Sequence, residues 1–265
     1  MSQAMKIVLF LKQIYLKNLR FLILGMTVIN ASAQTTKQIV REEQLWLGYF
    51  NQTRLSNHWG IWADIHFRAN EHFVKEPSKA LFRGALTYYF NDALKLSNGY
   101  AFINHFPEEG HANISQPEHR IWQQLQIHSQ VGKSRIMNWF RFEERFRRKI
   151  KNDNELADSY RFDWRLRNNV LVTIPLSKKG IVPHTFSAIV NDEIFINFNN
   201  PRNNSYFPFD QNRFFVGLAY QFPHHSNIQL GYMNVFQQLT SGTKFRNVNT
   251  IRLFFFQNLD LRKKN

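Results

Sequence analysis

Residues 191–198 read NDEIFINF, residues 209–222 read FDQNRFFVGLAYQF and residues 228–234 read IQLGYMN. In each, apolar side chains recur at every second position, with Glu193, Arg213, Gln221 and Gln229 between them. Successive side chains of a strand point to opposite faces, so these are strands with one apolar and one polar face. Three in succession, parted by a polar loop and a short break, predict an antiparallel meander.

Working outward, the same alternation recurs at 44–54, 59–68, 79–90, 94–106, 118–128, 135–147, 161–172, 186–197 and 247–258. Many of these runs hold 10–14 residues, longer than the ~5–6 of globular strands and matched to the ~9–11 that cross a bilayer at a tilt. Charges occupy mid-strand positions, where a soluble barrel would place its apolar core. The apolar face is therefore expected to look outward into lipid, around a polar, Arg-rich lumen. The fold expectation is all-β: an antiparallel up-and-down transmembrane β-barrel. A soluble periplasmic lipocalin-like binding barrel, the alternative, predicts the reverse filling.

Connections at 55–58, 91–93, 132–134 and 223–225 are short, and those at 69–78, 107–117, 149–159, 199–210 and 239–244 are longer. The segment 176–184 is longer than its place in the alternation predicts. Short periplasmic turns and long outer loops would put 107–117 and 199–210 outside. Eleven alternating segments conflict with the even strand numbers of bacterial single-chain barrels. About twelve strands (10–12) are expected, with 36–43 hiding a first strand or threading the lumen.

At the N-terminus, Lys12, Lys17 and Arg20 precede the apolar run 21–29 and then Asn30, Ala31, Ser32, Ala33 and Gln34. A basic segment, a short apolar segment and an A-x-A site form a signal peptide. Nine apolar residues are too few for a spanning helix of ~20, which argues against a retained anchor. The expected domains are a leader at 1–33, cleaved between Ala33 and Gln34 on export, and an outer-membrane barrel at 34–265.

The chain has no cysteine, which excludes disulfides, thiol nucleophiles and thiolate metal sites. Aromatic residues make up 15%, with 26 Phe, 9 Tyr and 6 Trp, as interfacial belts would use. Trp46, Trp59, Trp62, Trp122, Trp139 and Trp164 are expected mostly in such a belt. The formal charge is +15, of which Lys6, Lys12, Lys17 and Arg20 belong to the leader, leaving +11. That excess is spread over many strands, which argues against a nucleic-acid partner.

Three stretches carry a resemblance: Asp192 to Asn197, Phe209 to Arg213, and Leu230 to Asn234. Two more accompany them, Trp139 to Phe146 and the early hairpin from Trp46 through Leu55 to Trp59. In these the chain resembles domain of unknown function 2490, a family of exported Bacteroidota proteins. The resemblance implies a predicted outer-membrane barrel of unassigned activity, and supplies no catalytic or binding residues.

The most charged surface is the polar face of two neighbouring strands, Arg141, Glu143, Arg145 and Arg147 beside Arg161, Asp163, Arg165 and Arg167. With Glu193 and Arg213 they are the candidate lumen-lining residues. A cross-strand ion network bracing a small barrel is one role, and an anion-favouring wall is the other. Asp192 and Glu193 point to opposite faces and cannot act as a catalytic pair. His66 and His128 face inward and His119 outward without an evident serine, His224 and His225 occupy a turn, and no catalytic motif occurs. A narrow channel or structural barrel, not an enzyme, is the expected function, with a barrel enzyme acting on lipid or envelope polymer as the alternative. Expected partners are outer-membrane lipid, the barrel-assembly machinery during insertion and a small anionic solute; a monomer without cofactor or metal is expected.

Overall fold

A computed structural model describes residues 38–70, 73–107, 113–198, 208–239 and 244–262. The expected leader at 1–33 lies outside these residues, as do parts of the expected loops 69–78, 107–117, 199–210 and 239–244. Eleven strands follow in order: β1 Gln38–Arg54, β2 Trp59–Asn70, β3 Glu76–Tyr89, β4 Leu94–His105, β5 Gln116–Val131, β6 Ser134–Asn152, β7 Glu155–Pro175, β8 Phe186–Phe198, β9 Phe209–Phe222, β10 Ser226–Gln238 and β11 Lys244–Asp260. They form one closed barrel in which each strand pairs with its sequence neighbours.

Every sequential pair is antiparallel, and β1 closes on β11 in parallel, from Gln38↔Lys244 to Arg54↔Asp260. This follows from parity: in a meander with an odd number of strands, the first and last run the same way. Eleven lies within the expected range, and the parity conflict is met by this parallel seam rather than by a twelfth strand. Of residues 36–43, expected to hide a first strand or to thread the lumen, 38–43 extend β1, and 36–37 lie outside the described residues.

The connection expected at 149–159 is not a loop. β6 and β7 continue as a hairpin through a turn at Asp153 and Asn154. β5 pairs with β6 only as far as Glu118↔Arg147, and β8 with β7 only as far as Trp164↔Phe198, so the tip projects beyond both neighbours. With no neighbouring wall on either side, the tip has no inner and outer face to alternate between. Its Lys149, Lys151, Asn152, Asp153, Asn154 and Glu155 are all exposed.

Along the wall, parity decides burial. On β2, Trp62, Asp64 and His66 are buried inward while Ile61, Ile65 and Phe67 are exposed. The outer face carries Ile65, Phe82, Leu86, Leu218 and Leu230, each about half exposed or more. The inner face holds charge together with two apolar clusters, Trp62, Leu81, Ala101, Ile103 and Trp122 on one side, and Trp46, Ile189, Phe215, Ala219, Met233, Val235, Val248 and Phe254 on the other. Glycine makes room for these large inward rings. A Cβ on Gly99 would meet the Gly84 carbonyl at 2.3 Å and the Trp122 ring at 2.8 Å.

The belt expected of the tryptophans fails for four of them. Trp46, Trp62, Trp122 and Trp139 are buried inward, and only Trp59 and Trp164 stand exposed outside. The outer aromatic girdle is built largely from Phe and Tyr instead. Trp59, Tyr88 and Phe90 touch at the short-turn end, as do Phe186, Tyr220 and Phe222.

Candidate functional site

A cavity of ≈ 2080 Å³ runs through the lumen and reaches residues of both rims. Phe106, Pro107, Phe209 and Leu239 line it at the long-loop end, and Asn57, Asp92, Pro183 and His224 at the short-turn end. Among the described residues, six buried carboxylates face inward between the rims: Asp64, Glu118, Glu143, Asp163, Glu193 and Asp210. Seven buried arginines oppose them, Arg83, Arg120, Arg141, Arg145, Arg165, Arg167 and Arg252, and half-buried arginines along the cavity include Arg68, Arg147, Arg161 and Arg213.

Charges taken out of water must be paired and hydrogen-bonded to be tolerated. On β5 to β8 most of them are. Glu118 accepts from Arg120 at 2.6 Å, Arg145 at 2.8 Å and Arg147 at 2.7 Å, and lies 2.9 Å from the His105 ring nitrogen. Glu143 accepts from Arg165 at 2.9 Å and Arg167 at 2.7 Å. Glu193 accepts from Arg167 at 2.8 Å and lies 3.8 Å from Arg213. Asp163 takes Arg145 at 3.0 Å and Arg161 at 3.6 Å.

The register sets Arg141 opposite Arg167 and Arg147 opposite Arg161, pairs that would repel. Carboxylates from flanking strands relieve both, with Glu193 on β8 drawing Arg167 away and Glu118 on β5 holding Arg147. A β-bulge adds the last partner. Phe195 pairs with Gln211 and Ile196 with Phe209, so Asp210 is the extra residue and its side chain turns inward, 3.2 Å from Arg165.

All ten residues expected in the lumen lie on the inner face. Nine of them line the cavity, and Glu143, only 1% exposed, lies beneath the arginines that it pairs. Asp64 lies on the inner face of β2. It holds Arg83 at 2.9 Å and His66 at 2.9 Å on its own wall. His119 faces outward with Tyr100 at 2.6 Å, and Asp192 faces outward as acceptor for Asn212. His224 and His225 sit in a turn with positive φ. Among the described residues no His, Asp and Glu group could hold a metal ion.

Aromatic faces take the place of carboxylates for several arginines, since a ring presents negative charge to a cation. Arg141 lies 4.3 Å from the Trp122 ring and 5.0 Å from that of Trp139, with Gln124 as hydrogen-bond acceptor. Arg68 lies 3.5 Å over Trp46, and Arg213 reaches the same ring at 4.8 Å. Arg252 lies 3.3 Å over Phe215 and donates to Gln229 at 3.2 Å. Among the described residues, no carboxylate lies within 4.0 Å of Arg68 or Arg252. The charge without a carboxylate partner therefore sits on β2 and β11, away from the β6–β7 patch that the sequence singles out. Parity could have found it, because Trp46, Trp62, Trp122 and Trp139 each share a face with a charged neighbour two residues away or across the strand pair.

No solved structure matches this chain. An uncharacterized protein of Methylorubrum extorquens is 24% identical over 247 residues, covering 90% of this chain and 98% of its own length. The family model described as "Protein of unknown function (DUF2490)" matches residues 43–246, from within β1 to within β11. A match over so much of the barrel makes this chain a member of the DUF2490 family.

Proposed function

We propose that the barrel lies in an outer membrane and passes small anions through a narrow lumen. The observation that carries this reading is the inverted filling, with Ile, Leu and Phe exposed outside and an arginine excess along a cavity reaching both rims. In water, such an outer face would be a large apolar patch; in hydrocarbon it is the stable arrangement. Closure leaves no edge strand in the barrel wall, which lipid demands. The cavity volume, spread over a hydrocarbon thickness of ~30 Å, averages roughly 70 Å² in cross-section, enough for small solutes only.

A non-catalytic role suits the inward histidines. His66 pairs with Asp64 and is boxed by the rings of Phe50 and Phe254, with no nucleophile beside it. Export through a leader at 1–33, insertion by barrel-assembly machinery and a monomeric state belong to the same proposal.

Planar-bilayer recording under a KCl gradient tests it. Rings of arginine bias a pore toward anions, so the expected reversal potential is that of a chloride-preferring pore. Arg68→Glu, which disturbs no ion pair among the described residues, should move it toward potassium. A sealed barrel, or a potassium preference in the unaltered protein, would contradict the reading.

A further inference from the structure

Arg68, with no carboxylate within 4.0 Å among the described residues, stands beside Arg213 at the edge of an apolar strip. Trp46 carries Arg68 on its ring and Arg213 nearby, and belongs to the inner apolar cluster with Met233, Val248 and Phe254. From that level toward the short turns the strip continues as Phe254, Phe50 and Phe256, with Phe50 5.1 Å from Phe254 and 4.5 Å from Phe256. Trp46, Phe50, Phe254 and Phe256 all line the cavity. Across the lumen the wall is the paired network of β5 to β8.

The strongest charge interactions of Arg68 are with Arg213, Arg120, Arg167 and Arg83, all repulsive. Repelled cations beside a cavity favour an anion that can sit among them, and hydrogen bonds to charged groups are the strong ones. An inorganic anion would use the arginines and leave the phenylalanine strip idle. A neutral apolar molecule would do the opposite.

We propose that the lumen binds an amphiphilic organic carboxylate, its head between Arg68 and Arg213 and its apolar body along Phe254, Phe50 and Phe256. From Trp46 to Phe50 is four residues, about 13 Å at ~3.3 Å per residue, which suits a medium-length acyl chain or fused rings. The inference rests on the proposed anion-favouring lumen, and it names the class of anion and the wall that holds its body. It assigns that wall a role in selecting the solute, where a simple pore would need only charge.

Equilibrium titration calorimetry of the full chain in lipid nanodiscs tests it, using sodium decanoate, decanol and sodium acetate, each corrected against empty nanodiscs. Decanoate is expected to bind at least tenfold more tightly than acetate or decanol, because only it uses both walls. Arg68→Gln should weaken decanoate about tenfold or more and weaken acetate as well, the loss expected for one charged hydrogen-bonding partner of the shared carboxylate. Phe50→Ala should weaken decanoate with Arg68 intact. Equal affinities for acetate and decanoate, equal affinities for decanol and decanoate, or indifference to both substitutions would overturn the proposal. Chloride conductance measured on the same preparation separates the two readings: conduction without decanoate binding sinks only this inference, and binding without conduction sinks only the channel.

Discussion

At the scale of single residues, Glu143 is, with Glu118, among the most deeply buried acids of the lumen. It is 1% exposed and receives hydrogen bonds from Arg165 and Arg167, with Arg120 at 3.6 Å. Removing one member of a buried pair leaves the other charge unsatisfied, at a cost of about 3–5 kcal/mol. Glu143→Gln is therefore expected to lower the unfolding free energy obtained by urea titration by an amount in that range, while Glu143→Gln combined with Arg165→Gln costs less than the sum of the two single changes. Additive losses would show that the pair is not coupled. Individual inward charges were legible in the sequence, because alternation fixes the face of Arg141, Arg165 or Glu193. Their partners were not. Glu118 lies on another strand, and Asp210 turns inward only through a bulge, which no local pattern announces. Nor does composition reveal that Trp46 and Trp122 serve as cation platforms rather than as a girdle.

At the scale of elements, the seam between β1 and β11 closes the barrel. Its parallel register sets Tyr49 against Phe255, whose rings stack at 6.0 Å. The chain has no cysteine, so Tyr49→Cys with Phe255→Cys introduces the only thiols. Register partners lie within the ~4.4–6.8 Å Cα separation that a disulfide needs. Oxidation should give a fast-migrating cross-linked monomer on denaturing gels. Tyr49→Cys with Ile251→Cys, four residues out of register and so about 13 Å apart, should not cross-link. The reverse result would mean that the strands close in another order. Strand positions were legible because a long two-sided wall imposes strict alternation. The parallel seam was not, since nothing in either strand records which distant partner it meets. The β6–β7 hairpin was hidden for the opposite reason: past its neighbours it loses the two environments that create alternation.

For the whole molecule, the inverted filling is the central feature, and the proposed outer-membrane setting follows from it. A polar turn supplies an internal reference: Arg54 donates to Asp92 at the short-turn rim and holds that carboxyl below its usual range, as a pair in contact with water would. Outward Ile65, Leu86, Leu218 and Leu230 sit between the rims, 50–54% exposed in the closed barrel, and should meet acyl chains rather than water. Single cysteines at these four positions and at Asn57 in a short turn, each spin-labelled after reconstitution, report their surroundings through relaxation by oxygen or by a water-soluble nickel complex. The proposed setting predicts that oxygen dominates at the four wall positions and nickel at Asn57; nickel dominating at all five would contradict it.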